Sequence, residues 1–379
     1  MPKSDRVTCK DLIEKFDNLW KEFLRAVSSS LLNYLSLEHL GMILHNLAQT
    51  NDLHIKRNLA AGLRPGVPNL IVCPEDDMLN YLTYMYMHPA DQALPQPDEV
   101  LICTKDTKYD EVNIFLRRAF YNSVDKLYCL AFADFLEYRI AEKVEKKLLK
   151  CSEENKDNLF KLVIFCTQEN ELKKRLVGAL EKYRRPLPAL CTPTLIANYL
   201  TERLVCQDET SACAVDFSRS SVRVIQSRRS GVGKSLYVRR LVEKLRKRHP
   251  TKEDVSLTIR LYEKDVDISH IVDMLMTRQH SPGKTNPVIF HLDISSEVLN
   301  GVDFLLYNLL ILGCIKDKDG HVWTKSPSDL YVIENIPSRY NLADSKIRKS
   351  VHQIFGILPK VNCWSPLDTL VILQGHKFR

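Results

Sequence analysis

The sequence lacks cysteine pairs spaced for metal binding, although its 379 residues include 11 cysteines. No Cys-x-x-Cys occurs, and zinc modules take their ligands from such closely spaced pairs. Several cysteines lie within apolar runs, such as Leu101–Cys103 and Ile164–Cys166, which is typical of small buried hydrophobic residues with free thiols in a reducing compartment. We therefore expect neither a zinc module nor a disulfide framework.

Long apolar segments are also absent. The longest, Phe304–Ile315, is interrupted by polar residues and Gly313, and residues 1–12 contain no apolar signal-peptide region. The formal net charge is only +7. The basic run Arg239–Arg248 has no interleaved aromatic residues of the kind that stack on nucleic-acid bases. These features predict a cytosolic protein without a transmembrane segment, and they argue against nucleic acid as a partner.

The pattern of apolar residues divides the chain into three predicted segments. Residues 1–60 have apolar residues at helical spacing. Residues 61–205 alternate strand and helix patterns, which is typical of βαβ units with a parallel sheet, but no Gly-rich phosphate loop follows these strands. Residues 206–379 form the third segment, in which 207–220 is predicted to be a linker or exposed loop. The predicted strands of the middle segment are 68–73, 99–104, 126–131 and 159–167. Its predicted helices are an aromatic helix that follows 74–77 and ends near His88, and the segments 110–121, 134–149 and 195–204.

The third segment contains a phosphate-binding pattern. A predicted strand, Ser221–Gln226, leads into a loop that includes Gly-Val-Gly-Lys-Ser, and an amphipathic helix is predicted over 236–248. Glycines let a phosphate approach the backbone, and the N–H groups at the start of a helix face the phosphate. We predict that Lys234 neutralises the β- and γ-phosphates of ATP and that Ser235 binds Mg²⁺. The full set of predicted nucleotide-binding residues is Ser230, Gly231, Val232, Gly233, Lys234, Ser235 and Leu236.

Arg228 departs from this pattern, because the complete phosphate-loop motif has glycine at that position. The arginine could narrow the entrance of the loop, add a phosphate contact or weaken binding, and the sequence leaves these alternatives open.

A second motif is the apolar strand predicted at Pro287–Asp293, which ends in an acid. We predict that this strand lies beside the phosphate-loop strand and that Asp293 is the second Mg²⁺ residue with Ser235. In ATP-hydrolysing members of the additional-strand class of P-loop proteins, a glutamate follows this aspartate and polarises the attacking water. Ile294 occupies that position here. The sequence therefore favours a site that holds ATP over one that hydrolyses it quickly, and we assign no catalytic residue.

Two further strands are predicted downstream. Leu330–Asn335 has polar residues at its carboxyl end, the edge at which ligands bind in open α/β sheets. Asn335 is either a sensor of the γ-phosphate or a turn residue before Pro337. The last strand is predicted at Leu370–Leu373, after which no room remains for a helical lid.

Three stretches, residues 29–38, 94–101 and 227–238, resemble the AAA+ core of the mysterin family of giant RING-finger ubiquitin ligases. The resemblance implies a dynein-like core of tandem AAA+ modules, of which this chain would be a fragment or truncated product. It also implies neighbouring AAA+ modules and the ubiquitin machinery as partners, and an association with lipid droplets. Because the sequence contains no RING or zinc module, we do not expect the chain by itself to transfer ubiquitin.

These observations predict an α/β fold of the P-loop NTPase, AAA+-like class. We expect a three-layer sandwich around a parallel sheet in residues 206–379, preceded by a degenerate α/β unit and N-terminal helices. The predicted function is to hold ATP with Mg²⁺ for structural or regulatory purposes. An active ATPase of the motor type and an interaction scaffold with a vestigial phosphate loop remain as alternatives.

Overall fold

The computed structural model divides the chain into two compact units. The first comprises 1–54 and 279–286, and the second comprises 55–278 and 287–379. The residues described are 15–21, 55–87, 93–121, 126–155, 158–188, 192–227, 231–250, 255–278, 286–295, 297–335 and 352–363. In the first unit, residues 15–21 are helical. Residues 55–60, which belong to the second unit, contain no helix, and the other residues of the predicted helical segment 1–60 lie outside the described residues. No helix among the described residues is both long and apolar enough to cross a bilayer.

The second unit begins with an α/β module built on a four-stranded parallel sheet. Its strands are Pro68–Cys73 (β1), Val100–Ile102 (β2), Tyr128–Ala131 (β3) and Leu162–Thr167 (β4). Their spatial order is β1-β4-β3-β2. The strands are nearly continuous apolar runs because helices cover both faces of the sheet. These helices are Met78–Tyr84 (α1), Tyr109–Tyr121 (α2), Tyr138–Glu154 (α3), Arg175–Leu180 (α4) and Pro193–Arg203 (α5).

The second α/β module is built on a five-stranded parallel sheet and a short antiparallel hairpin. Its strands are Val222–Gln226 (β5), Ser256–Leu261 (β6), Ile289–Ile294 (β7), Cys314–Lys316 (β8), Val322–Thr324 (β9), Leu330–Asn335 (β10) and Lys360–Asn362 (β11). The main sheet has the order β11-β5-β10-β7-β6, and β8 pairs with β9. The helices are Lys234–Arg248 (α6), Ile268–Met276 (α7), Val302–Leu306 (α8), which continues as a π-helix over Tyr307–Leu312, and Ile354–Ile357 (α9). Helix α6 packs on one face of this sheet and α7 on the other, which gives the predicted three layers.

Both main sheets place their first four strands in the same order: first, fourth, third, second. The prediction that the Pro287–Asp293 strand lies beside the phosphate-loop strand is therefore wrong, because β10 separates β7 from β5. The physical reason is burial. Residues Leu330–Ile333 of β10 are each 0% exposed, and a strand that is apolar on both faces is most stable in the interior of a sheet.

Three other elements differ from the sequence predictions. Strand β6 was not predicted, although its alternating Leu257, Ile259 and Leu261 are the signal for it. The strand next to β5 at the sheet edge is Lys360–Asn362, whereas the predicted 370–373 lies outside the described residues. Part of the predicted linker, Ala212–Val215, is a buried turn that packs against α6.

A single apolar core joins the two α/β modules of this unit. It contains residues from α1 and α5 and also from the π-helix and α9. Polar contacts support the same junction. Gln353 accepts a hydrogen bond from the Leu79 N–H at 3.0 Å and donates to the Glu75 carbonyl at 3.1 Å. The hydroxyls of Thr83 and Tyr307 lie 3.4 Å apart. The modules therefore share their packing, although each has its own sheet.

Arg57 fastens the segment before β1 to the first module. Its guanidinium is 0% exposed and donates to both carboxylate oxygens of Glu99, at 3.0 and 2.7 Å. It also donates to the carbonyls of Ala93 and Leu94 and lies over the Tyr86 ring. The guanidinium of Arg57 and the carboxylate of Glu99 are thus paired inside the protein. Removal of either charge leaves the other buried without its partner.

We predict that Arg57→Ala lowers the free energy of unfolding by about 3–5 kcal/mol, because Glu99 becomes an uncompensated buried charge. Urea denaturation followed by circular dichroism measures the change. The exposed Arg117 is the matched control, and Arg117→Ala is expected to change stability by less than about 0.5 kcal/mol. Equal effects of the two substitutions would contradict the assignment.

Asp329 is a fully buried acid that precedes β10. Its Oδ1 accepts a hydrogen bond from the Val288 N–H at 3.2 Å. Burial raises the pKa of Asp329 to about 7, against the weaker lowering effect of backbone hydrogen bonds and of nearby Lys325. Because the folded state holds this proton more tightly than the unfolded state, stability is highest at low pH and falls as pH rises from about 4 to about 7.

We predict that Asp329→Asn removes this pH dependence, since the amide oxygen can still accept from Val288 but carries no charge. The variant should match the native protein near pH 4 and exceed its stability by roughly 3–4 kcal/mol at pH 8, at about 1.4 kcal/mol for each unit of the pKa shift. Thermal melts across this range provide the measurement. If the stability difference between the native protein and the variant were the same at both pH values, Asp329 would not titrate as described.

Candidate functional site

The phosphate loop lies where sequence analysis predicts it, between the carboxyl end of β5 and the start of α6. Gly231 and Gly233 have φ angles of 74° and 93°, which side-chain-bearing residues rarely adopt. Gly233 caps α6, so the free N–H groups of the first turn point away from the helix toward the loop. Ser230 and Arg228 lie outside the described residues.

Lys234 is held inside this loop. The residue is only 4% exposed, and its Nζ donates to the Ser227 hydroxyl at 3.2 Å. The loop thus presents a buried ammonium group beside a helix N-terminus, which is the electrostatic environment that a polyphosphate requires. Val232 is half-buried, whereas Ser235 and Leu236 are exposed and accessible to a ligand.

An acid that was not assigned a role in the sequence contacts Ser235. The Ser235 hydroxyl lies 3.1 Å from Oε1 and 3.0 Å from Oε2 of Glu334, which is on β10. The other side of this carboxylate faces His291 on β7, with Nε2 3.3 Å from Oε2. His291 Nδ1 lies 3.5 Å from the Thr258 hydroxyl on β6. A row of polar side chains therefore crosses three neighbouring strands and ends at the first turn of α6.

Burial of Glu334 works against its ionisation. The nearby His291, the Ser235 hydroxyl and the positive charge of Lys234 together outweigh that effect and hold the pKa of Glu334 below its ordinary value. The carboxylate is therefore ionised at neutral pH, and its 8% exposure leaves it weakly screened by water.

Asp293 lies next to Glu334, because the two residues are partners in the parallel pairing of β7 and β10. Side chains that are partners in register point to the same face, here the face covered by α6. The described residues include no hydrogen bond between Asp293 and Ser235. Serine and carboxylate oxygens are the hard donors that Mg²⁺ prefers, so Ser235, Asp293 and Glu334 fit such an ion chemically. The metal role of Asp293 stays a prediction.

Three residues of this cluster were not predicted: Ser227, His291 and Glu334. A sequence signal exists for two of them, since His291 and Glu334 are polar residues inside otherwise apolar buried strands. Buried polar groups in strands need a partner, but the partner here depends on which strands are neighbours. The side chain of Asn335, the predicted sensor, lies outside the described residues.

The first module has different chemistry at the equivalent edge. Three acids, Glu75, Asp76 and Asp77, follow β1 where the second module has its glycines and lysine, and acids repel phosphate. Asp134 follows β3 as Asp293 ends β7. The carboxylate of Asp134 is 1% exposed and accepts from the Thr167 N–H (3.0 Å), the Thr167 hydroxyl (2.6 Å) and the Asn170 amide (2.8 Å). Asp134 therefore stabilises the first module through hydrogen bonds within the protein.

We predict that Asp134→Ala destabilises the protein by about 2–4 kcal/mol, because it removes the acceptor of two buried donors of Thr167 and of the partly buried amide of Asn170. Any stabilisation by Mg·ATP, measured as a shift in melting temperature, should be the same in this variant as in the native protein, because the loop at β5 is untouched. Glu153→Ala, at an exposed acid, is the control and should be nearly neutral. A nucleotide shift lost in folded Asp134→Ala protein would place this acid in a ligand site instead.

Both α/β modules match known protein domains. Residues 217–370 match the model of the RNF213 AAA domain, and residues 68–185 match a second RNF213 AAA domain model. The chain is 33% identical over 371 residues to the E3 ubiquitin-protein ligase RNF213 of Homo sapiens and 31% identical over 368 residues to rnf213-beta of Danio rerio. These alignments cover 95% and 96% of this chain but only 7% of each relative.

Solved structures add little to this comparison. The chain is similar to NtrX from Brucella abortus in complexes with ATP and with ADP, at 9% and 11% identity and TM-scores of 0.25 and 0.23. The alignments cover 79% and 81% of this chain and 69% of each NtrX chain. Superposition this weak bears on neither fold nor function.

The strand order, the phosphate loop at the carboxyl end of β5 and the three-layer packing define the second module as a P-loop NTPase fold of the AAA type. The two family matches together take in most of the sequence, and the chain belongs to the RNF213 family of AAA domains. The resemblance to mysterin-type ligases is thereby confirmed. The chain spans about 7% of the length of its curated relatives.

Proposed function

We propose that the second module, residues 206–379, binds ATP together with Mg²⁺ and holds it. The observation that carries this proposal is the buried Lys234 at the N-terminus of α6, preceded by two glycines with positive φ. A buried ammonium group beside the N–H groups of a helix N-terminus attracts anions, and the β- and γ-phosphates of a nucleotide are suitable anions.

Each residue has a separate role in this proposal. The N–H groups of Gly231, Val232 and Gly233 bind phosphate oxygens, and Lys234 neutralises their charge. Ser235 and Asp293 would hold Mg²⁺, whose positive charge would offset the repulsion among the phosphate oxygens. Leu236 is 47% exposed beside the loop and is available to contact the nucleotide.

The absence of a glutamate after Asp293 supports slow or no hydrolysis, because Ile294 cannot polarise a water molecule. Nucleotide bound in this way stabilises the folded state by about 2.7 kcal/mol at a hundredfold excess over its Kd. Such binding serves a structural or regulatory purpose. The alternative of an active ATPase is favoured by one observation, the ionised Glu334 near Ser235, and phosphate release distinguishes the two.

The wider setting of this module follows from its relatives, which are named as E3 ubiquitin-protein ligases. We propose that the chain supplies AAA modules to a ligase of this type and that neighbouring AAA modules and the ubiquitin machinery are its partners. The free cysteines, most of which are buried, support a reducing compartment such as the cytosol.

We predict that excess Mg·ATP raises the melting temperature of the chain by several degrees, because it binds only the folded state. Lys234→Ala should abolish this shift. Lys244→Ala, which removes the same charge from an exposed position on the same helix, should retain it. A phosphate-release assay on the same samples should detect negligible turnover.

Other outcomes discriminate among the candidate functions. Steady phosphate release that Lys234→Ala abolishes would support the ATPase. No shift in a protein shown to be folded would exclude nucleotide binding under these conditions and would leave an interaction scaffold.

A further inference from the structure

We propose that Glu334 is the carboxylate that makes nucleotide binding by this module depend on a divalent cation. This inference rests on the proposed ATP site. It assigns Glu334 as a metal-positioning residue, a role that sequence analysis gave only to Ser235 and Asp293.

The contact between Glu334 and Ser235 is the first argument. A serine hydroxyl that binds a metal uses an oxygen lone pair and still needs an acceptor for its hydrogen. Glu334 supplies that acceptor, with both carboxylate oxygens within 3.1 Å of the Ser235 hydroxyl. The hydrogen bond directs the lone pairs of Ser235 away from Glu334 and orients the hydroxyl for a cation.

Charge is the second argument. Glu334 and its register partner Asp293 place two acids at the edge where the phosphates of a nucleotide would lie. Lys234 is the buried cation of the phosphate loop at this edge. Metal-free ATP would meet an ionised carboxylate that is only 8% exposed and thus weakly screened. When a divalent cation is bound to ATP, the Glu334 carboxylate attracts the cation, and the complex is bound instead of repelled.

Position is the third argument. His291 lies against the far side of the carboxylate, at 3.3 Å, and Ser235 lies against the near side. Glu334 is also on β10, the strand between the phosphate-loop strand and the strand of Asp293. The acid is therefore held in one orientation by rigid elements and cannot swing away from an entering nucleotide.

The test compares nucleotide binding with and without the cation in Glu334→Gln, which keeps an acceptor for Ser235 but removes the charge. Isothermal titration measures the affinity for ATP in excess Mg²⁺ and in EDTA. We expect the native protein to bind Mg·ATP much more tightly than metal-free ATP. In the variant, Mg·ATP should bind about 10–100-fold more weakly and metal-free ATP more tightly, so that the ratio of the two affinities collapses.

Glu263→Gln is the matched control. Glu263 is an exposed acid that follows β6 near the same edge of the sheet, and its removal should leave the affinity ratio unchanged. A structural role of Glu334 would lower the melting temperature and weaken both forms of ATP together, whereas the proposed role moves them in opposite directions. Should Glu334→Gln fail to fold, Glu334→Asp retains the charge and should retain the cation dependence.

Two results separate this inference from the proposed function. If the native protein binds neither form of ATP, the nucleotide site itself is wrong and the inference falls with it. If the native protein binds Mg·ATP and the affinity ratio is the same in Glu334→Gln or is lost in folded Glu334→Asp, the site stands and the role of Glu334 is overturned.

Discussion

Parallel pairing is the constraint on which this structure depends. Every strand of the two main sheets runs parallel to its neighbours, so all carboxyl ends within a sheet meet at one edge. Side chains that end β5, β7 and β10 are far apart in the sequence but close at that edge. The constraint also requires helices on both faces, and this requirement produces the shared core beneath the two modules.

The two modules use one framework for two kinds of chemistry. In the first module, Asp134 after β3 accepts internal hydrogen bonds from Thr167 and Asn170, and the turn after β1 is acidic. In the second module, the turn is a glycine loop with a buried lysine, and the acid of β10 contacts an accessible serine. The same strand order therefore supports an internally satisfied edge in one module and a ligand-accessible edge in the other.

Much of the fold could be predicted from the sequence, because the strands that are buried on both faces read as continuous apolar runs. Strands β1, β4, β5 and β10 and helices α2 and α6 were predicted within a few residues of their bounds. Strand β6 was missed because its alternation is short: only Leu257, Ile259 and Leu261 alternate with the polar Thr258 and Arg260. The salt bridge of Arg57 with Glu99 could not be predicted, since the pair lies 42 residues apart and no local pattern links its members.

The sequence by itself determined the family and predicted the strand and helix on either side of Lys234 and Ser235, because a motif of consecutive residues carries its geometry with it. Only the tertiary structure decided which acid contacts Ser235. That decision depends on β10 lying between β5 and β7, an arrangement produced by the burial of both faces of β10 and not by any spacing along the chain. Glu334 and His291 became part of the site for the same reason: strand order, which is a property of the packed sheet, places them there.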